Sequence, residues 1–229
     1  MSNSLASERQ MIASYGRKLI DHSLTKGTSG NLSIFNRDQG LIAISPSGLD
    51  FHQTAQKDVV VLDLSGNIVD GVRKPSSEWP LHKMVYEQRL DVSAVVHAHS
   101  TFSTVLSCLG WEMPALHYMI AIAGPSVRCA SYATFGTEEL GTNAVSAMAQ
   151  RNAVFLANHG LLAAASDLAQ AFHIAEEIEF CAELYWRCKC VGVPKILKDS
   201  EMTRMKDLFH SYGQGKNAAA KTPTKKNPS

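Results

Sequence analysis

The sequence predicts an α/β fold, a single domain in which helices cover both faces of a central mixed sheet. Strand-like segments dominate the first third of the chain, and strands and helices then alternate. The 229 residues, 45% of them hydrophobic, are enough to bury one sizeable core. We therefore expect one folded domain over residues 1–212.

Hydrophobic periodicity gives the order of the elements along the chain. Apolar positions three or four apart predict helices over residues 5–22, 75–89, 100–109, 137–150, 167–190 and 200–212. Short apolar runs bounded by turn residues predict strands over residues 31–35, 41–45, 58–64, 94–99, 127–130 and 153–160, and residues 161–165 continue apolar. Gly192 and Pro194 end the longest helix.

The charged residues are unevenly distributed along the chain. Residues 213–229 contain four lysines and no acid, a composition that predicts a disordered basic tail. The remaining body carries a net negative charge, which argues against nucleic acid as a partner.

Features of secretion and of membrane insertion are missing from the sequence. No apolar run approaches the roughly 18 residues that a membrane span requires, and the first residues do not resemble a signal peptide. The five cysteines are odd in number and lack paired spacing. We therefore expect reduced thiols in a cytoplasmic protein.

Two histidines, His97 and His99, end the buried apolar run that starts at Ala94. Residues two apart on a strand point to the same face, so the two imidazoles are expected side by side. A third histidine, His159, ends another apolar run, and Gly160 after it permits close backbone approach. Three imidazoles with an open fourth position are typical of a catalytic zinc site. The alternative is that the first two are surface histidines at a strand end.

Two loops rich in glycine and small polar residues precede the histidine pair. They are Gly-Thr-Ser-Gly-Asn at residues 27–31 and Ser-Pro-Ser-Gly at residues 45–48. Their backbone N–H groups could converge on an anion. Each loop could equally be an ordinary hairpin turn.

The segment Pro-Ser-Ser-Glu at residues 75–78 opens the second predicted helix. Either Ser76 or Ser77 could cap this helix, and a helix N-terminus with two hydroxyls could also bind phosphate. Glu78 either complements the helix macrodipole or carries protons beside a metal. We interpret His82, one turn further on, as structural.

Seven motifs occur in a fixed order between residues 5 and 212. They are Gly27-Thr-Ser-Gly-Asn31, Ser45-Pro-Ser-Gly48, Pro75-Ser-Ser-Glu78, His97-Ala-His99, His117-Tyr-Met-Ile120, Tyr132-Ala-Thr-Phe-Gly136 and Asn158-His-Gly160. This order and spacing resemble the class II aldolase/adducin family, and within it most closely the aldolases of L-fuculose 1-phosphate. The resemblance implies a mainly antiparallel central sheet sandwiched by helices.

The resemblance also implies a function for each matching position. His97, His99 and His159 would bind one Zn²⁺ per subunit, which Mn²⁺, Co²⁺ or Fe²⁺ could replace. Glu78 would lie near or on the metal until substrate displaces it. The substrate phosphate would be held by small polar residues and glycines, namely Gly30, Asn31, Ser47, Gly48, Ser76 and Ser77.

Two tyrosines acquire a function only through the resemblance. Tyr118 would reach into the site of a neighbouring subunit, because the family builds its sites between the protomers of a cyclic homotetramer. Tyr212 matches a C-terminal tyrosine that closes over the site.

The implied reaction is metal-dependent cleavage of a ketose 1-phosphate, either L-fuculose 1-phosphate or a related deoxy-ketose 1-phosphate. The products would be dihydroxyacetone phosphate and a short aldehyde such as lactaldehyde. Zinc would stabilise the enediolate as a Lewis acid, Glu78 would move the proton on the enediolate carbon, and Tyr118 would exchange a proton with the aldehyde oxygen.

Other reactions on the same scaffold are alternatives. These alternatives are the reactions that ribulose-phosphate 4-epimerases, methylthioribulose-phosphate dehydratases and tetronate-phosphate decarboxylases catalyse. A non-catalytic adducin-like interaction module is a further alternative, which the basic tail favours and the complete set of three histidines with Glu78 opposes.

Overall fold

The computed structural model describes residues 4–211 of the chain. Six α-helices lie within them: α1 (Ala6–Asp21), α2 (Trp79–Gln88), α3 (Thr101–Cys108), α4 (Glu138–Ala147), α5 (Leu168–Val191) and α6 (Asp199–Ser211). Eight strands accompany them: β1 (Asn31–Asn36), β2 (Leu41–Ile44), β3 (Val60–Asp63), β4 (Ile68–Asp70), β5 (Ala94–Ala98), β6 (Cys129–Ala130), β7 (Ala153–Leu156) and β8 (Gly160–Ala165). Short 3₁₀ helices span Gln56–Asp58 and Tyr118–Ile122. Tyr212 and the predicted basic tail at residues 213–229 lie outside the described residues.

All eight strands form one sheet with the order β4-β3-β2-β1-β5-β8-β7-β6. Every neighbouring pair is antiparallel except β6 and β7, which run parallel. The predicted α/β fold with a mainly antiparallel sheet is therefore confirmed. The centre of the sheet is the pair β1–β5, flanked by β8, so these three strands are buried under helices on both faces.

Two hydrophobic cores lie on opposite faces of the sheet. Helices α1, α3, α5 and α6 contribute to one core, and α2 and α4 contribute to the other. Along β5 the side chains alternate, with Val96 in the first core and Val95 in the second. His97, two residues after Val95, therefore points to the α2 face of the sheet.

One predicted strand is too long, and one strand of the sheet is missing from the prediction. The strand predicted over residues 153–160 ends at Leu156, and Gly160 already opens β8, so His159 lies in the turn between two antiparallel strands. Strand β4 is absent from the sequence prediction, because its residues Ile68 and Val69 are about half exposed at the edge of the sheet and form no buried run.

The start of the second predicted helix is also wrong. Helix α2 begins at Trp79, and the residue in the N-cap position is Glu78, so neither Ser76 nor Ser77 caps it. The preceding segment pairs instead with the loop after β2, through a bridge between Pro46 and Pro75. Backbone hydrogen bonds to that loop thus replace the first turn of helix that the sequence suggested.

None of the helices within residues 4–211 combines the length and the apolar character needed to cross a bilayer.

Candidate metal centre and active site

Four side chains converge at the end of β5, namely Glu78, His97, His99 and His159. One ligand atom from each lies within 4.8 Å of the others. The Nε2 atoms of His97 and His99 are 2.9 Å apart. The carboxylate of Glu78 spans the other two rings, with Oε2 at 3.3 Å from His97 Nε2 and Oε1 at 3.4 Å from His159 Nε2. The structure therefore brings together the four residues that the sequence pointed to as a metal site.

The sheet and one tight turn position the three imidazoles. His97 lies on β5 and His99 directly follows its last residue, Ala98, and the Nε2 atoms of the two rings meet as strand periodicity predicts. His159 is in the three-residue turn that joins β7 to β8, where Asn158 has a left-handed φ of 54°. A Cβ atom on Gly160 would lie 2.4 Å from the carbonyl oxygen of Ala98. Only glycine at this position lets β8 approach β5 closely enough to bring the third ring to the pair.

The orientation of His97 suits a metal ligand. This ring is fully buried, and its Nδ1 atom donates a hydrogen bond to the backbone carbonyl of Leu161 at 2.9 Å. A hydrogen bond of this kind fixes the tautomer, so that the lone pair of the neutral ring is on Nε2 and points into the cluster. This arrangement is typical of histidines that bind metals.

The carboxylate of Glu78 supplies the strongest sign that a cation fits here. The side chain is buried, and Oε1 has no hydrogen-bond partner among the described residues. A buried charged oxygen without a partner is costly. A divalent cation held between this oxygen and the Nε2 atoms of the three rings would remove that cost. Nitrogen ligands with one carboxylate are a set that Zn²⁺ and neighbouring divalent metals accept.

The pKa values of these groups reflect burial and mutual proximity. Burial opposes ionisation of Glu78, but its interactions with His97 and His159 and the hydrogen bond from Asn31 prevail and lower its pKa below the usual range. Burial is the main cause that lowers the pKa of His99 to about 4, and the neighbouring rings of His97 and His159 add to it. Burial also lowers the pKa of His159 to about 4, with a smaller contribution from His97. Both rings are thus neutral at pH 7 and able to bind a metal.

His97 differs from the other two rings. Burial lowers its pKa, but the adjacent carboxylate of Glu78 outweighs this and raises it. The carboxylate thus favours positive charge at the centre of the cluster. A bound divalent cation would supply that charge.

The loops predicted to bind phosphate meet beside Glu78. Ser47 donates its backbone N–H to the carbonyl of Lys74 at 2.9 Å, and Ser76 donates its own to the carbonyl of Ser45 at 3.0 Å. Ser76 is buried, whereas the side chain of Ser77 is exposed. These bonds bring the segments 45–48 and 75–78 together as one surface beside the carboxylate.

The remaining predicted phosphate residues border the same region. Gly30 has a left-handed φ of 76°, and a Cβ atom there would lie 2.7 Å from the carbonyl oxygen of His97. Gly48, with φ of 66°, faces open space. The side chain of Asn31 donates from Nδ2 to Glu78 Oε2 at 2.8 Å, so it holds the carboxylate directly.

Tyr118 shares no hydrogen bond or ring contact with this cluster within residues 4–211. It opens the 3₁₀ helix Tyr118–Ile122, its side chain is 46% exposed, and its ring is 6.2 Å from that of Phe209 in α6. Its ring contacts within residues 4–211 are with His117 and Phe209, not with Glu78 or the three clustered histidines. Tyr212 lies outside the described residues, so its predicted closure over the site stays a prediction.

Sequence reasoning misses three residues that lie behind the carboxylate. It interprets His82 as structural and does not single out Ser33 or Tyr86. All three are buried and connected by hydrogen bonds to Asn31. The available signal is spacing: Glu78, His82 and Tyr86 recur every four residues and so share one face of α2.

Comparison with known proteins places the chain in a family. The chain matches the family model of the class II aldolase and adducin N-terminal domain over residues 10–186. It is 52% identical over 210 residues to 5-deoxy-D-ribulose 1-phosphate aldolase of Bacillus thuringiensis serovar kurstaki, covering 92% of this chain and 99% of the relative. It is 39% identical over 192 residues to L-fuculose phosphate aldolase of Escherichia coli K12, covering 83% and 88%.

A solved structure is similar over nearly the same extent. An L-fuculose 1-phosphate aldolase superposes with a TM-score of 0.88 at 51% identity, covering 92% of this chain and 98% of the other. The fold and the site thus define a member of the class II aldolase and adducin family, and the chain belongs to that family. Within it, the protein is an enzyme, a class II aldolase and hence a carbon–carbon lyase.

Proposed function

We propose that this aldolase is zinc-dependent and cleaves a deoxy-ketose 1-phosphate between C3 and C4 to dihydroxyacetone phosphate and a short aldehyde. The observation that carries the proposal is the buried carboxylate of Glu78, which faces three imidazoles with one oxygen lacking a hydrogen-bond partner among the described residues. The names of the relatives support the substrate class, since they act on 5-deoxyribulose 1-phosphate, 5-methylthioribulose 1-phosphate and L-fuculose phosphate.

5-Deoxyribulose 1-phosphate is the first candidate substrate, and L-fuculose 1-phosphate is the second. The higher identity to the 5-deoxyribulose phosphate enzyme, 52% against 39%, sets this order. Cleavage of the first would release acetaldehyde, and cleavage of the second would release lactaldehyde.

Glu78 is the proposed proton carrier. In the aldol direction its ionised carboxylate removes a proton from C3 of dihydroxyacetone phosphate. In the cleavage direction the C4 hydroxyl loses its proton, the C3–C4 bond breaks, and the electron pair stays on the C3 side as an enediolate. Once substrate has displaced Glu78 from the cluster, its carboxylate takes up a proton from solvent and delivers it to C3, while the proton of the C4 hydroxyl passes to Tyr118 and from there to solvent. The lowered pKa of Glu78 keeps its carboxylate ionised as the base of the aldol direction, and the hydrogen bond from Asn31 orients it.

His97, His99 and His159 are the proposed metal ligands. The cation they would hold, Zn²⁺ or in its place Mn²⁺, Co²⁺ or Fe²⁺, would act as a Lewis acid that stabilises negative charge on the enediolate oxygens. Glu78 completes the ligand set when no substrate is present. His99 and His159 offer neutral nitrogens at pH 7, and the hydrogen bond from His97 Nδ1 to Leu161 turns the Nε2 atom of that ring towards the cluster.

The segments 45–48 and 75–78 are the proposed phosphate site, together with Gly30 and Asn31. They offer the hydroxyls of Ser47, Ser76 and Ser77 and the backbone N–H groups of Gly48 and Ser77, rather than cationic side chains. Such donors can bind a phosphate dianion. Their position beside Glu78 would fix the reacting carbons next to the carboxylate, which lowers the entropic part of the barrier.

Tyr118 is the proposed proton donor and acceptor at the aldehyde oxygen, and it would act in the site of a neighbouring subunit. Its separation from its own Glu78 cluster and its 46% exposure support a homotetramer with sites between subunits. Exposed Tyr132 and Phe135 add apolar surface that an interface would cover. A cytoplasmic location is proposed because all five cysteines are free thiols.

The decisive experiment is an aldol cleavage assay with both candidate substrates. Released dihydroxyacetone phosphate is measured by its NADH-dependent reduction, before chelation, after chelation and after re-addition of single metals. We expect turnover of 5-deoxyribulose 1-phosphate to exceed that of L-fuculose 1-phosphate, to vanish with the chelator and to return with Zn²⁺. A product that is an epimer, a dehydrated sugar or a decarboxylated sugar would contradict the proposal.

The matched variants are Glu78→Gln and Glu87→Gln, which change carboxylates on or next to the same helix. Glu78→Gln should retain metal and lose at least about 100-fold in kcat, the usual contribution of a general base. Glu87 is exposed and pairs with Lys83, so its variant should keep full activity. A folded wild-type protein that binds no divalent metal would favour an interaction module instead.

A further inference from the structure

Five buried polar side chains form an unbroken line from the active site into the core between β1 and α2. In order they are Glu78, Asn31, His82, Ser33 and Tyr86, and none is more than 6% exposed. The successive distances are 2.8 Å from Asn31 Nδ2 to Glu78 Oε2 and 2.5 Å from His82 Nε2 to Asn31 Oδ1. From there, Ser33 Oγ lies 2.6 Å from His82 Nδ1 and 2.6 Å from the Tyr86 hydroxyl.

Secondary structure explains how these residues meet. Glu78, His82 and Tyr86 are four residues apart and so form one stripe along α2. Asn31 and Ser33 are two apart on β1 and point to the same face of the sheet. The strand and the helix pack so that the two stripes interdigitate, and each polar group finds its partner on the opposite element.

The carboxylate at one end fixes the direction of every hydrogen bond. Glu78 can only accept, so Asn31 donates from its NH₂ group and presents Oδ1 on its other side. His82 must then donate from Nε2. The full burial of His82 lowers its pKa to about 3, so the ring is neutral and Nδ1 is an acceptor. Ser33 therefore donates to Nδ1 and accepts from the hydroxyl of Tyr86.

We propose that His82, Ser33 and Tyr86 are positioning residues, which lock the amide of Asn31 with its NH₂ group towards Glu78 and so hold the carboxylate in place. If the donor on His82 were lost, the amide of Asn31 could rotate by half a turn. It would then place Oδ1 against the carboxylate, and repulsion would displace Glu78. The catalytic consequence rests on the proposed function, whereas the hydrogen-bond directions do not.

The competing explanation is that the line of polar groups contributes only to stability. Buried networks of this kind are costly when incomplete, so any variant would lower the melting temperature under both explanations. The two explanations differ in the kcat of the variant molecules that remain folded. If the residues position Glu78, kcat changes according to which hydrogen-bond donors remain. If the residues are purely structural, kcat stays unchanged.

The first test is independent of activity. Long-range ¹H–¹⁵N NMR of the full-length wild-type protein should show His82 protonated on Nε2 and bare on Nδ1. The Glu78→Gln variant should shift the side-chain amide resonances of Asn31. A proton on Nδ1, or Asn31 resonances that do not respond, would overturn the proposal.

The second test compares His82→Gln with His82→Leu. Glutamine keeps one donor and one acceptor, and leucine keeps only the apolar volume. We expect His82→Leu to lower kcat about 10- to 100-fold, the usual cost of losing a supporting residue, with KM within about 3-fold. His82→Gln should recover most of kcat at a similar melting temperature. Equal kcat in both variants and wild type would refute the positioning function.

A third arm keeps the test decisive if His82→Leu fails to fold. Ser33→Ala removes the donor to His82, and Tyr86→Phe removes the outermost hydroxyl and changes the volume little. We expect losses in kcat that decrease with distance from Glu78, so Ser33→Ala should lose more than Tyr86→Phe. Full activity in both would contradict the proposal. A wild-type protein without aldol cleavage would refute the proposed function, but the NMR test would still decide the hydrogen-bond directions.

Discussion

Asn31 and His97 are direct partners across the antiparallel pair β1–β5. The two side chains therefore lie one strand spacing apart on the same face of the sheet. Asn31 holds the carboxylate of Glu78, and His97 offers its Nε2 atom to the same cluster. The pairing of Asn31 with His97 thus places the proposed base, Glu78, next to the proposed metal ligands. The register of the sheet sets the distance between Glu78 and His97.

Replacing His159 should abolish tight metal binding without unfolding the protein. The His159→Ala variant removes one of three nitrogen ligands, and the residue lies in a turn and belongs to neither hydrophobic core. Loss of a residue that only supports a metal ligand typically lowers metal affinity about 10- to 100-fold. We expect the loss of a ligand itself to lower it by more. Metal analysis after dialysis and a thermal melt measure the two quantities. The control His173→Ala alters an exposed histidine of α5 and should retain a full complement of metal.

Replacing Gly160 by alanine should destabilise the sheet at the site. A Cβ atom there would lie 2.4 Å from the carbonyl oxygen of Ala98, so β8 must move away from β5. We expect a loss of about 1–3 kcal/mol in the free energy of unfolding, as for other overpacked sites. Urea denaturation measures it.

The matched control for Gly160 is Gly192→Ala. Gly192 has an extended backbone, and a Cβ atom added to it would have no neighbour within 4 Å. We therefore expect its variant to change the free energy of unfolding by no more than about 0.5 kcal/mol. A loss as large as that of Gly160→Ala would show that the contact with Ala98 does not explain the effect.

Glu179 of α5 should stabilise the start of α3, which directly follows the histidine pair. Its carboxylate accepts hydrogen bonds from the Ser100 hydroxyl, from the backbone N–H groups of Phe102 and Ser103, and from the Ser103 hydroxyl, at 2.7–2.8 Å. Glu179→Gln removes the charge and half of the acceptors. We expect a loss of about 1–3 kcal/mol in the free energy of unfolding.

The control for Glu179 is Glu183→Gln, one turn further along α5. Glu183 pairs with the exposed side chain of Arg187 at helical spacing, an interaction worth about 0.3–0.5 kcal/mol. Both variants are compared by urea denaturation. Equal losses would show that Glu179 does not act as a cap.

Thiol labelling should separate the cysteines by burial and by pH. Cys181 is buried, and burial together with Glu177 raises the pKa of its thiol to about 12. Its reactive thiolate is therefore negligible at pH 8 and increases only as the pH rises towards 12. Cys108 and Cys190 are exposed. We expect maleimide to modify these two within minutes at pH 8 and to reach Cys181 only in denaturant, as mass spectrometry of digests can show. Fast labelling of Cys181 in the folded protein would contradict this.

The residues of the metal cluster are predictable from sequence for different physical reasons. The strand period of two fixes the relation of His97 to His99 wherever the strand packs. The apolar run before His159 predicts a strand that leads to this histidine. The same run makes the predicted strand too long, because β7 ends at Leu156 and His159 lies in the turn that follows. A glycine after a histidine indicates close approach, and the short distance between a Cβ on Gly160 and Ala98 confirms it.

Other features depend on contacts between distant segments and leave little local signal. Ser76 has the character of a good helix cap, and its hydroxyl does accept from the backbone N–H of Glu78 at 3.3 Å. The helix nevertheless begins only at Trp79, because the preceding backbone pairs with the loop at Ser45. The hydrogen bonds among His82, Ser33 and Tyr86 form only because β1 packs against α2. The sequence of neither segment alone reveals that packing. His82 illustrates the limit, because a buried histidine on an apolar helix face is usually structural.

Gly30 and Gly160 flank the end of β5 from both sides, and each would clash with a strand carbonyl if it carried a side chain. Codons 30 and 160 are therefore poor targets for diversification, since mutations there would be lost through misfolding before any new specificity could be selected. Libraries aimed at accepting other aldehydes would better leave both codons fixed and vary exposed side chains around the site, which do not pack against a strand carbonyl.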